Sequence, residues 1–211
     1  DGAAWTLQSG TLNPDSIVYS FGVGTDISFD LSLIRQYGLT VHAFDPTSRS
    51  LAWIHGQKLP AGFLFHPVGL AGFDGVARFR PPDNPAFVSY SLTESNAAEQ
   101  VVEAPVKRLS TLMRELGHDH IDLLKMDIEG AEYDALRDLL HQEAQVDQIL
   151  VEFHHRFPSI GVEATKEALA MLNRHGYRII SISPTGEEYT FRKPDSPVPR
   201  AKCATPATPD P

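Results

Sequence analysis

Four carboxylates arrive within eight residues, at Asp127, Glu129, Glu132 and Asp134, with Gly130 among them. Carboxylates gathered this closely can accept a proton from a substrate or hold a cation. They follow Ile121–Met126, an apolar run interrupted only by Asp122 and Lys125 and suited to a buried parallel strand. Gly130 would let that strand turn sharply into a helix. Open α/β sheets bind ligands outside the carboxyl ends of their strands, so acids placed there mark a candidate site. Asp134 reads as an acid favoured by the positive end of the following helix, and Glu132 fits that account and a site equally well. Asp127 and Glu129 precede the helix, and their i, i+2 spacing puts them on one strand face.

A second constellation is Ser20-Phe-Gly-Val-Gly-Thr-Asp26, between the first strand and first helix. Gly22 and Gly24 permit a tight turn and close backbone approach to a ligand. The third glycine of a dinucleotide fingerprint would fall at Ile27, so that match is incomplete. Asp26 and Asp30 also place negative charge where a pyrophosphate needs a bare helix start. Asp45, followed by Pro46, ends the second strand about twenty residues after the glycine turn. Its carboxylate could accept both ribose hydroxyls of an adenosine, or it could simply open the turn before Pro46. Together these signals favour an adenosine ligand without a pyrophosphate. S-adenosylmethionine fits: its ribose needs Asp45, its amino group is cationic, and its methionine tail can lie over the glycine turn.

Glu152, His154 and His155 follow the fifth expected strand, and alternation sends Glu152 and His154 to one face and His155 to the other. With Asp127 and Glu129 nearby, carboxylate and imidazole would suit a divalent ion. A hydrogen-bonded histidine at a strand end is the plainer account, and no metal is assigned from sequence. His118 and His120, flanking Asp119, read as solvent-facing, while His42 and His66 fall inside expected strands. Tyr90 and Ser91 are placed near a substrate by location alone. No G-x-S-x-G elbow is present, which disfavours a hydrolase triad.

Strand and helix signals alternate along the chain. Residues 16–21 read as a buried strand, 29–37 as a helix stopped by Gly38, and 40–44 as a second strand. Thr47 could cap a helix over 49–58. Residues 63–68 read as a third strand weakened by its proline. The glycine- and proline-rich stretch 69–105 reads as an insertion carrying a hairpin or flap, with strand-like pieces at 77–79 and 88–92. Helices are expected over 108–116, 131–143 and 162–175, and a strand over 148–153. Strands over 177–182 and 188–191 would form a closing hairpin. The expectation is a single domain over 1–192 of α/β class, a doubly wound, mainly parallel sheet with an antiparallel C-terminal hairpin. Residues 193–211, rich in Pro, Ala and Thr, read as a disordered tail.

At 211 residues the chain suffices for one domain with a substantial core. Its net charge of −9 disfavours nucleic-acid binding, which draws affinity from Lys and Arg. No apolar run approaches the roughly 20 residues of a membrane span, and no signal-peptide pattern is visible at the start. Cys203 is the only cysteine, which excludes an intrachain disulfide and fits a reducing, cytoplasmic setting.

Three segments resemble one family. Val18-Tyr-Ser-Phe-Gly-Val-Gly-Thr-Asp-Ile-Ser-Phe-Asp30, Ala43-Phe-Asp-Pro46 and Leu123-Leu-Lys-Met-Asp-Ile-Glu-Gly-Ala-Glu132 look like FkbM-type methyltransferases. The similarity runs from about residue 16 to 192 and keeps the order of elements. It implies a Rossmann-like class I fold, S-adenosylmethionine as cofactor and, in most members, methylation of oxygen. It also implies cofactor contacts in the turn (Gly22, Gly24, Thr25, Asp26) and at Asp45 and Pro46, with Asp127 and Glu129 at the active-site rim. This chain departs from the commoner family turn, having Ser20 in place of an acid and Gly22-Val-Gly-Thr-Asp26 in place of G-A-N-x-G. Its Tyr-Ser-Phe-Gly turn looks more like a methyltransferase-like subgroup.

The expectation is therefore methyl transfer to a hydroxyl of a sugar or other small molecule, with Asp127, Glu129 and His154 as candidate bases. Two rivals remain: a non-catalytic binding module that keeps the fold, and an NAD(P)-dependent oxidoreductase, disfavoured by Ile27 and the acidic helix start.

Overall fold

A computed structural model describes residues 5–80, 91–92 and 102–194. Tyr90, Cys203 and the tail beyond residue 194 lie outside the described residues, as do the side chains at 91 and 92.

Seven strands form the main sheet: β1 (Ile17–Phe21), β2 (Thr40–Phe44), β3 (Phe63–His66), β8 (Ile121–Met126), β9 (Val146–Glu152), β10 (Arg178–Ile182) and β11 (Glu188–Arg192). Their order is β10-β11-β9-β8-β1-β2-β3. Strands β3, β2, β1, β8 and β9 pair in parallel, and β11 runs antiparallel between β9 and β10. The expected doubly wound sheet with a C-terminal hairpin is what forms. Chain order reverses at β1, which lies between β2 and β8, and the crevice at such a switch point is where open α/β sheets take ligands.

Helices cover both faces. α1 (Ser28–Tyr37) and α2 (Ser48–His55) close one side, where Val18, Leu33, Val41, Ile54 and Leu123 share a core. α3 (Leu109–Leu116), α4 (Glu132–His141) and α5 (Gly161–Arg174) close the other, packing Leu112, Leu136 and Leu172 onto Tyr19, Phe21 and Leu124. With both faces covered, every residue of β8 is buried, Asp122 and Lys125 included. Asp122 is compensated by accepting the Ile17 amide at 2.7 Å, which ties the start of β1 to β8.

Helix and strand ends follow local chemistry. Thr47 caps α2 by accepting from the Ser50 amide. α2 stops at His55, three residues short of the expected Lys58, with Gly56 next. α1 ends in a left-handed Gly38 whose amide reaches back to Ile34.

Residues 69–107 carry a second sheet, ordered β4-β7-β5-β6, from β4 (Gly69–Leu70), β5 (Gly75–Arg80), β6 (Ser91–Leu92) and β7 (Val102–Lys107). Ala71, Ala77, Phe79, Ala104 and Val106 form its own small core. β7 lies mostly in the stretch expected as an insertion, where strand-like pieces were expected only at 77–79 and 88–92. β4 pairs with β7 only at Val106 and Lys107, so at Pro105 only the β5 side of the ladder is engaged.

Candidate active site

The carboxyl ends of β1 and β8 meet at the switch point. The Phe21 carbonyl accepts the Asp127 amide, and the Gly22 amide donates to Phe44 at 2.9 Å, so three strands are stapled where the loops begin. Gly22 has φ +75°, and a Cβ there would run into the Asp127 carbonyl. Only glycine lets these two loops approach so closely.

Asp45 joins the glycine turn to the next element. Its Oδ2 accepts the Gly24 amide at 2.9 Å, while Oδ1 accepts the Thr47 amide at 2.9 Å and the Thr47 hydroxyl at 2.6 Å. Asp45 thus opens the turn at Pro46, and it also lines the cleft. Gly22, Gly24, Thr25, Asp26 and Pro46 line the same cleft. Asp26 accepts the Ser28 amide at 2.9 Å, and that bond holds its carboxyl below the usual range.

Other groups in this cleft were missed as site residues. Lys125 Nζ donates to the Phe21 and Gly22 carbonyls at 3.4 and 3.2 Å, lies 3.8 Å from Asp127 Oδ2, and sits 5.2 Å from the Trp5 ring centroid. Asp30 lines the cleft too, although only 2% exposed. Burial pushes its carboxyl up, against the opposing pull of Lys125. Asp30 Oδ1 and Ser20 Oγ are buried without well-formed hydrogen bonds, although Ser20 is near enough to pull the Asp30 carboxyl back down. The signal in sequence was a lysine inside an otherwise apolar strand and an acid inside an apolar helix.

Behind the cleft, the loops after β8 and β9 converge on His154, whose side chain is fully buried. Its Nδ1 lies 3.2 Å from Glu132 Oε1, which also accepts the His154 amide at 2.8 Å. Glu132 Oε2 accepts the Gly130 amide at 2.8 Å. Glu132 is therefore a buried brace between two loops, which settles its open reading. Asp134, by contrast, is exposed and pairs with Arg137, as an acid in the first turn of a helix should.

His154 Nε2 faces three further carboxylates: Glu129 Oε2 at 3.2 Å, Asp127 Oδ1 at 3.7 Å and Glu152 Oε1 at 3.7 Å. Glu129 is the nearest of them, although its contact with Nε2 falls short of good hydrogen-bond geometry. Burial opposes a charge on His154, but Glu129 and Glu132 prevail and push its pKa up to about 10. An imidazole held in this way is pushed towards its protonated form by the carboxylates around it. Burial and Asp127 push Glu152 up to about 7, and burial raises Asp127 as well. Glu129 adopts φ +53°, a conformation rare for a side-chain-bearing residue, just before Gly130 at φ +104°. Such backbone strain tends to persist where a side chain must be aimed at a site. His155 turns away from this cluster, with Nδ1 3.4 Å from Thr165 Oγ1.

The methyltransferase FkbM domain matches residues 13–179. The chain belongs to the FkbM-domain methyltransferases. S-adenosylmethionine is the cofactor that this membership brings, and the cleft of this FkbM-domain methyltransferase fits it. Asp45 stands at the end of β2, the glycine turn leaves backbone exposed, and the unpartnered Asp30 Oδ1 suits a cationic amino group. Among curated relatives, the probable methyltransferase-like protein 24 of Homo sapiens is 28% identical over 160 residues, covering 74% of this chain and 37% of that protein. Its counterpart in Rattus norvegicus is 28% identical over 155 residues, covering 72% and 36%. The chain thus spans little more than a third of the relatives it matches. Solved structures of similar shape include precorrin-6y C5,15-methyltransferase from Geobacter metallireducens, with a TM-score of 0.47, 11% identity, and coverage of 88% of this chain and 84% of that one. Aeropyrum pernix fibrillarin, crystallised with natively bound S-adenosyl-L-methionine, gives a TM-score of 0.47 and 11% identity, covering 88% and 69%. Among the described residues, no helix is long and apolar enough to cross a membrane.

Proposed function

We propose that this domain transfers a methyl group from S-adenosylmethionine to a hydroxyl oxygen of a small-molecule acceptor such as a sugar. The observation that carries this reading is a single cleft. It runs from Asp45 and the Gly22–Gly24 turn to Asp127 and Glu129, so cofactor contacts and acids open into one space. The bound cofactor supplies a methyl group on a sulfonium, already activated for attack. Asp45 would orient the ribose, and Asp30 would receive the amino group of the methionine tail.

The chain's remaining work is to align the acceptor and remove its proton. Asp127 is the first candidate base, because burial raises its carboxyl towards the range where a base works best at neutral pH. Glu129 stands beside it, its aim fixed by the strained backbone. His154 is the third candidate, in a positioning role: as a buried cation it holds both carboxylates near the cleft.

Calorimetric titration with S-adenosylmethionine and S-adenosylhomocysteine, with NADH as control, tests the reading. Micromolar binding of the sulfur cofactors alone, weakened at least tenfold by Asp45→Ala, is expected. Binding of NADH instead would overturn it in favour of an oxidoreductase. Cofactor binding without turnover on a panel of hydroxyl acceptors would favour a binding module that keeps the fold.

A further inference from the structure

The side chains behind the cleft form a donor set as well as a hydrogen-bond network. We infer that Asp127, Glu152 and His154 Nε2 bind one divalent first-row transition ion, Mn²⁺ or Zn²⁺, at the inner end of the cleft. The ion's purpose rests on the methyltransferase reading; its binding does not.

Geometry gives the first support. One donor atom from each of the three residues lies within 4.8 Å of the others, and Nε2 is 3.7 Å from a carboxylate oxygen of both Asp127 and Glu152. Donors held about 2.1 Å from a common ion stand about 3–4 Å apart, so small side-chain rotations close the set. Glu129 Oε2, 3.2 Å from Nε2, is placed to serve as a further oxygen donor.

The second support is independent of the acids. His154 Nε2 belongs to a fully buried side chain, makes no well-aligned hydrogen bond although Glu129 Oε2 stands 3.2 Å away, and points into the carboxylate group. Buried polar atoms are nearly always paired, and an imidazole nitrogen left over inside a protein calls for a ligand.

The third is the opposite nitrogen. Metal-bound histidines commonly donate their other N–H to a carboxylate, which fixes the tautomer and orients the ring. His154 Nδ1 has that partner in Glu132, itself fully buried and anchored by two backbone amides.

Charge balance agrees. Asp127, Glu129, Glu132 and Glu152 surround one imidazole, and the cationic partners at their rim are Lys125, 3.8 Å from Asp127, and Arg156, 3.3 Å from Glu152. Without an ion, His154 is the buried cation described above; a divalent cation would take the place of the Nε2 proton, release it to solvent, and offset this surplus of negative charge. One imidazole among carboxylates suits manganese or zinc better than calcium, which prefers oxygen alone. An acceptor hydroxyl would reach the ion from the cleft side, where Asp127 is one quarter exposed.

The test is metal binding by the folded protein. After treatment with EDTA, the protein is titrated with Mn²⁺, free ion being read by electron paramagnetic resonance and stoichiometry by elemental analysis. Zn²⁺ competes in a second series. One ion per chain at micromolar affinity is expected, weakened at least tenfold by Asp127→Asn and by Glu152→Gln. The exposed Glu115→Gln should bind as wild type. His154→Ala would empty a fully buried site and confound binding with folding, so the two carboxylate variants, checked by circular dichroism, decide. No stoichiometric ion in the wild type, or unchanged affinity in both variants, overturns the inference. S-adenosylmethionine affinity measured on the same sample separates the two readings. Cofactor binding without the ion removes only the metal site, and ion binding without the cofactor removes only the methyltransferase reading.

Discussion

Glu132, in the first turn of α4, grips His154 twice: one carboxylate oxygen takes both the backbone amide at 2.8 Å and Nδ1 at 3.2 Å. The other oxygen holds Gly130. A single side chain therefore sets the distance between the loop that carries Asp127 and Glu129 and the loop that follows β9.

Glu132→Gln should expose how much rests on that grip. The amide keeps an acceptor oxygen but removes the buried charge facing the imidazole, and a loss of about 2–4 kcal/mol in urea unfolding is expected. Affinity for S-adenosylmethionine should change less than twofold, because Glu132 does not line the cleft.

Glu129→Gly separates strain from function. Glycine accepts the φ of +53° at no steric cost, so stability should stay within about 1 kcal/mol of wild type despite the lost contacts. Turnover should fall at least tenfold if Glu129 aims at the acceptor. Thermal melting and a methyl-transfer assay read the two quantities side by side.

Gly22→Ala should be among the most damaging single changes. The added methyl meets the Asp127 carbonyl, which is backbone and is held by the Phe21 pairing. A loss of more than about 2 kcal/mol, with much weaker cofactor binding, is expected from chemical unfolding and calorimetry.

Acid lability has a distinct origin. His42 stacks on His66 with Nδ1 3.1 Å from its Nε2, and packs against His118 and Tyr19. Burial, then His118 and His66, pull its pKa from 6.5 down to about 4. Between those values the unfolded chain binds the proton and the folded chain does not, so stability rises with pH. The contribution is fully present above pH 6.5 and is lost as pH falls towards 4. His42→Gln should flatten the curve of melting temperature against pH across that window.

Much of the fold was legible because buried parallel strands and amphipathic helices leave strong local patterns. β1, β2, β8 and α1 fall within a residue or so of their expected positions, and Asp127 and Glu129 were placed correctly just past β8. β7 has no strong pattern of its own: it lies mostly in a glycine- and proline-rich stretch and becomes a strand by pairing with β5 and β4, which cannot be read from sequence. Lys125 was visible as an anomaly, yet its reach to the Phe21 and Gly22 carbonyls depends on a pairing between residues about a hundred positions apart. His154 shows the same limit. Its ordinary pKa argues for a base, and only the assembled carboxylates around it reverse that.

The position of β11 bears on how the chain can be made. This strand spans residues 188–192, yet it lies inside the main sheet, with β9 on one flank and β10 on the other. During synthesis, β10 emerges before the strand that will join it to the rest. Until residue 192 has left the ribosome, β9 keeps a naked hydrogen-bonding edge and β10 has no partner in the sheet. The domain is therefore finished from its far end, and a stop codon a few residues upstream would forfeit the sheet's closure, not merely trim its margin.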